Sequence, residues 1–179
     1  MEIIELLSDK NLSSTEKRKQ LVLALTSEEL TVATMPQLND KQAGIVLEAM
    51  EEISRKESAI IDENWLNFAG NYVISENNTL KRESARVIGN IAHLFPDKLE
   101  NIIPKLFQNA KNESTVVRWS SAYSLGRIIQ IPAFAKSNLF DKLSKITDEE
   151  QNNGVKNQYL ISLKKALKII KVSNLSLKN

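Results

Sequence analysis

Cysteine is absent from this 179-residue chain, and with it go disulfide frameworks, thiolate zinc sites and cysteine nucleophiles. A chain without thiols suits a reducing compartment. Glycine and proline are scarce, with 5 and 4 residues, too few for the many tight turns of an all-β fold. Histidine occurs once, at His93, which excludes a multi-histidine metal site and a pair of histidine bases. The glycine-rich phosphate loops and the G-x-S-x-G nucleophile elbow are missing as well. No apolar run approaches the ~20 residues needed to span a bilayer. The start, MEIIELLSDK, has no basic stretch leading into an apolar one, so no secretory signal is expected. These absences predict a cytoplasmic protein that is not an enzyme, with no cofactor, no metal, no small-molecule substrate and no membrane partner.

Helical spacing, in contrast, runs almost the whole length. Apolar residues recur every three or four positions, and strict alternation is nearly absent. The pattern predicts helices over 2–8, 15–25, 27–36, 40–56, 63–75, 80–94, 98–109, 115–130, 137–147 and 154–172. Capping boxes are expected at Thr26-x-x-Glu29, Asn39-x-x-Gln42 and Asp97-x-x-Glu100, and N-caps at Asp62, Thr79, Ser114 and Ser137. Pro104 is expected to bend the 98–109 helix. Charge is unevenly spread. Residues 1–76 hold 7 Lys/Arg against 14 Asp/Glu, residues 77–179 hold 17 against 8, and no acidic residue follows Glu150. The basic half points to an anionic partner.

The pattern also repeats. LKRESARVIGNI (80–91) overlies VRWSSAYSLGRI (117–128) at a shift of 37, with Gly89 on Gly126, Ala85 on Ala122 and Ile91 on Ile128. VKNQYLISLKKA (155–166) follows at a shift of 38, and Leu47, Met50 and Ile53 precede Ala85, Ile88 and Ile91 by 38. Each copy has another helix before it, so the unit is a helix pair of 37–38 residues, the period of stacked solenoids. A glycine inside a helix costs ~1 kcal/mol against alanine. Its recurrence at Gly89 and Gly126 therefore predicts a close approach of neighbouring helices.

VVRWSSAYSLGRI resembles the second helix of a HEAT repeat, which opens Val-Arg and runs through small residues to Leu-Gly and an aliphatic residue. The resemblance covers residues 40–172 well, and residues 1–39 only loosely, as capping helices or a degenerate repeat before a 173–179 tail. It implies an all-α, armadillo-like right-handed superhelix of about five antiparallel helix pairs, a single domain. The family's Asp before Val-Arg is replaced here by Asn112 and Ser114.

On that expectation the second helices line the concave side. Trp119, Tyr123, Gly126, Arg127 and Gln130 share one helical face, opposite Val117, Ser121, Ser124, Leu125 and Ile128. The corresponding stripes are Arg82, Arg86, Asn90 and His93 before it, and Asn157, Ile161, Lys164, Lys165 and Lys168 after it. An earlier stripe, Gly44, Glu48, Glu52 and Arg55, has the opposite sign, so the groove is expected to be polarised along its length. A solvated face is the plainer reading of any such stripe. Arginine with aromatics is what hot spots use, and partner-binding is assigned to Arg82, Arg86, Trp119, Tyr123, Arg127, Lys164, Lys165 and Lys168. The expected function is a protein-binding scaffold for an acidic protein segment. The alternative is nucleic-acid binding, for which the same residue types suit stacking and phosphate contact. HEAT-like alkylpurine DNA glycosylases share that architecture and carry a carboxylate among the basic residues. The three stripes here contain no Asp or Glu, and Glu83 is placed on the packed side. The C-terminal helix, basic and amphipathic, is expected to cap the stack rather than lie on a membrane.

Overall fold

Ser13 and Glu16 form a reciprocal capping box in the computed structural model, which describes residues 3–56 and 59–176. Among the described residues the box starts the second of ten α-helices, and no strand occurs. The helices are α1 (Ile3–Ser8), α2 (Ser14–Thr26), α3 (Asp40–Ser54), α4 (Glu63–Tyr72), α5 (Asn78–Ile91), α6 (Ile103–Asn109), α7 (Thr115–Ile128), α8 (Pro132–Ala135), α9 (Leu139–Glu149) and α10 (Asn153–Ser176). Position 2 and positions 177–179 of the expected first helix and tail lie outside the described residues. The last helix runs to Ser176, four residues beyond the expected end.

Local chemistry explains most of these boundaries. Asn39 and Gln42 close the expected capping box on α3, and Asp62 accepts the Asn64 amide to start α4. The start of α5 is capped by Asn77, whose Oδ1 accepts from Thr79 N at 2.9 Å, rather than by Thr79. Asn138, not Ser137, holds the N-cap position of α9, though Ser137 Oγ accepts from Leu139 N at 3.1 Å. Ser114 holds the N-cap position of α7 but makes no side-chain cap bond. Three larger expectations fail as well. No helix covers 27–36, because Thr26 ends α2 and its hydroxyl donates back to the carbonyls of Val22 (2.7 Å) and Leu23 (3.0 Å). The chain then turns through a left-handed Glu28 (φ 59°), leaving only a 3₁₀ turn at Val32–Thr34. Asp97 lies in a 3₁₀ turn, Pro96–Lys98, instead of capping a helix. Pro104 sits in the first turn of α6, where its missing N–H costs nothing, and does not bend a helix.

The chain divides into two compact units, residues 1–91 and 92–179. In the first, α3 packs against α5, and each also packs against the helix before it in sequence, α2 and α4 respectively. In the second, α7 packs against α10, α6 against α7 and α9 against α10. The core includes the apolar residues that the 37- and 38-residue shifts align. Leu47, Met50, Ile53, Ala85, Ile88, Ile91, Ala122, Leu125 and Ile128 are all buried. Gly126 meets α10 closely: a Cβ built on it would stand 2.9 Å from Ser162 Cβ.

Candidate partner-binding site

Arg82 and Arg86 project from α5 beside α3, and their surroundings are acidic. Arg82 Nε donates to Glu83 Oε1 at 2.6 Å. The Arg86 guanidinium bridges two carboxylates, Nη1 to Glu83 Oε2 at 3.2 Å and Nη2 to Glu51 Oε1 at 2.8 Å. Arg55 also reaches Glu51 Oε1, at 3.2 Å, and Arg18 lies 3.4 Å from Glu52 and 3.9 Å from Glu48. Seven of these side chains line a cleft of about 230 Å³. The expected polarity along the groove is therefore replaced here by mutual neutralisation. Glu48 and Glu52 of the acidic stripe pair with Arg18 of α2, whereas Arg82 and Arg86 pair with Glu83 of their own helix, and Arg86 also with Glu51, which lies off that stripe. Glu83 is buried, as expected, but its carboxylate joins the arginines, so the basic stripe is not free of carboxylates. Asn90, placed on the solvated stripe by spacing, is buried, and its Nδ2 donates to Ser54 Oγ at 3.0 Å. His93 is exposed in the 3₁₀ turn Ala92–Leu94.

Burial pushes the Glu51 carboxyl above the ordinary 4.5, against the pull of Arg86 and Arg55 and with the help of Glu83 and Glu52. A folded-state value above the unfolded one means that the ionised form is penalised in the fold. That contribution is absent below about 4.5 and costs stability as pH rises through the folded value. Relative to Glu51→Gln, the parent is expected to lose stability over that rise, read from urea midpoints at a series of pH values. A relative gain would show that the two arginine pairs outweigh burial.

In the second unit the expected stripe on α7 is an ordered stack. The Trp119 and Tyr123 rings are nearly parallel (12°) with centroids 5.7 Å apart, and the Arg127 guanidinium carbon lies 5.6 Å from the Tyr123 centroid. Spacing of four residues on a helix produces this ladder, since such positions lie one above the other. Trp119 and Tyr123 are half-buried and Arg127 is exposed. Val117, Ser121, Ser124, Leu125 and Ile128 are buried on the other face, as expected. Gln130 is half-buried rather than exposed, and its Nε2 donates to Gly126 O at 2.6 Å. On α10, the helix packed against α7, Asn157, Ile161, Lys164, Lys165 and Lys168 are all exposed.

Sequence reasoning missed one polar assembly. Arg118 Nε and Nη2 reach Glu150 Oε2 and Oε1 at 3.0 and 3.3 Å, while Nη1 donates to the carbonyls of Asn112 and Glu113. Glu150 Oε1 also accepts from Asn152 N, and Asn152 Oδ1 accepts from the amides of Gly154 and Val155 that open α10. The signal was present: Glu150 stands six residues before Lys156, as Asn112 does before Arg118. Among the described residues no group of three His, Asp or Glu is arranged to hold a metal, and no helix is long and apolar enough to cross a membrane. Compared with protein-family models, curated proteins and solved structures, the chain finds no match.

Proposed function

We propose that the chain is a non-catalytic scaffold of HEAT-like helix pairs, and that the face made by α7 and α10 binds an acidic protein segment. The Trp119–Tyr123–Arg127 ladder carries this reading. It is a rigid, half-exposed aromatic surface ending in a guanidinium, the combination that interface hot spots favour. Lys164, Lys165 and Lys168 add positive charge on the adjoining helix, where no acidic residue follows Glu150. Arg82 and Arg86 are withdrawn from the binding set, because their charge is already matched by Glu51 and Glu83. The solenoid reading draws support from helices one repeat apart packing together, α3 with α5 and α7 with α10. In the same reading Glu150 supplies the carboxylate that Asn112 and Ser114 lack, and a reducing, cytoplasmic setting suits a chain without cysteine.

The test is crosslinking in native lysate with mass-spectrometric readout, comparing the parent with a Trp119→Ala, Arg127→Ala double variant. Acidic segments should crosslink near residues 119–130 in the parent and vanish in the variant. Against a partner segment so identified, Trp119→Ala is expected to weaken binding by ~2 kcal/mol or more. Lys165→Glu with Lys168→Glu should mainly slow association and reduce its salt dependence. The lysine variant should keep the parent's stability. Trp119→Ala should lose ~1 kcal/mol, since it forfeits the stack with Tyr123. Unchanged crosslinks, or capture of oligonucleotides in place of acidic segments, would overturn the assignment.

A further inference from the structure

The outer face of α10 carries a second surface. After Ala166 no described side chain of this helix is buried, although the helix continues to Ser176. Its outward side combines three exposed lysines, Lys164, Lys168 and Lys171, with three large exposed apolar residues, Leu160 (48%), Ile161 (53%) and Leu167 (43%). At ~100° per residue the lysines fall together in the middle of that side. Leu160 and Leu167 lie on one shoulder of the lysine stripe, and Ile161 on the other. A helix lying on a bilayer needs one continuous apolar arc; here the lysines split it. Phosphate backbones would use the charge but leave the apolar shoulders in water.

We infer that this face docks an acidic amphipathic helix of a partner protein, with carboxylates over Lys164, Lys168 and Lys171 and apolar residues seated on the two shoulders. The spacing is that of one helical face, i, i+4 and i+7, and seven residues cover ~10 Å of axis, so a partner helix of three turns spans it. Lysine suits such a seam: its aliphatic stem extends the apolar shoulders while its ammonium meets the carboxylate. The inference rests on the acidic-partner reading above, shares Lys164 and Lys168 with it, and adds the conformation of the partner segment and its seat along α10.

The experiment uses the full chain and a synthetic helical peptide of about 16 residues, with glutamates at i, i+4 and i+7 and leucines flanking them. Its fluorescence anisotropy is compared with that of a scrambled peptide of the same composition. Saturable binding of the patterned peptide is expected, about tenfold tighter than the scramble. Leu160→Ser with Leu167→Ser, and separately Lys164→Glu with Lys168→Glu, should each weaken it by about tenfold or more. All changes are at exposed positions, and retained circular dichroism checks the fold. The leucine pair, which lies outside the ladder set, should leave crosslinks near residues 119–130 intact, so failure of the ladder assignment and failure of this one are read separately. Equal binding of the scramble, or no effect of the leucine pair, would reduce the face to non-specific charge. Vesicles with anionic lipid that bind the parent but not the leucine variant would assign the face to a membrane instead. A parent oligomer dissolved by the same variant would assign it to a second copy.

Discussion

Gly126→Leu is expected to destabilise the protein by about 3 kcal/mol, the largest loss from any single change at the α7–α10 contact. The reason is visible at the first added atom. A Cβ on Gly126 would stand 2.9 Å from Ser162 Cβ and closer still to Ser162 Oγ, with the Gln158 carbonyl at 3.7 Å. Ser162 Oγ is held by its bond to Gln158 O at 2.8 Å, so it has no relaxed place to swing to. The two helices must separate, and that opens packing along their whole contact. Alanine brings the same Cβ but recovers ~1 kcal/mol of helix propensity, so Gly126→Ala should cost less than leucine does. Pairing Gly126→Ala with Ser162→Gly removes the opposing Cβ and should restore most of the loss, a coupling of ~1 kcal/mol or more. Gln130→Leu gives a scale for comparison. It forfeits the bond to Gly126 O but inserts nothing between helices, and should cost ~1 kcal/mol. Urea midpoints decide the matter. If Gly126→Leu and Gln130→Leu melt together, the glycine is not there for close packing.

The same glycine shows what the sequence made legible. Its recurrence at Gly89 and Gly126 led to an expected close approach at each, of which the one at Gly126 is observed, and the apolar residues aligned by the sequence shifts in α3, α5 and α7 are buried. Periodicity reports which way a side chain points from its own axis. It does not report what arrives from the neighbouring helix. That is why Arg82 and Arg86 read as open cations, although Glu83 on their own helix and Glu51 on α3 already hold them. Asn90 fails for a related reason, since Ser54 on α3 offers it a buried partner that no spacing rule could supply. Capping motifs misled where two satisfied the same pattern. Thr26-x-x-Glu29 and Ser13-x-x-Glu16 look alike on paper. Only Ser13 has an extended backbone that lets its hydroxyl face the next amides, while Thr26 is still helical and bonds backwards. The aromatic ladder was readable because it depends on one helix alone.

The Arg118–Glu150 pair has the other large expected effect. Arg118→Ala should cost ~2–3 kcal/mol near neutral pH, slightly below the usual loss for halving a fully buried pair, because the arginine side chain keeps 19% of its exposure and the glutamate 6%. The change strands the Glu150 carboxylate and removes the donor for the carbonyls of Asn112 and Glu113. Through Asn152 it also loosens the first turn of α10. Arg118→Lys should rescue little, since an ammonium cannot span both carboxylate oxygens and two carbonyls in one plane. The pH response separates this account from a mere loss of packing. Burial alone would raise the Glu150 pKa, but Arg118 and the amides of Asn152 and Gln151 outweigh it and hold the carboxyl below the ordinary 4.5. A lowered folded-state value contributes stability that is fully present above about 4.5 and is lost as pH falls through the folded value. Parent and Arg118→Ala should therefore differ most near neutral pH and converge as the solution is acidified below that range. A difference that stays constant from neutral pH down to full protonation would mean that Arg118 acts through its bulk and the carbonyl contacts, with Glu150 a bystander.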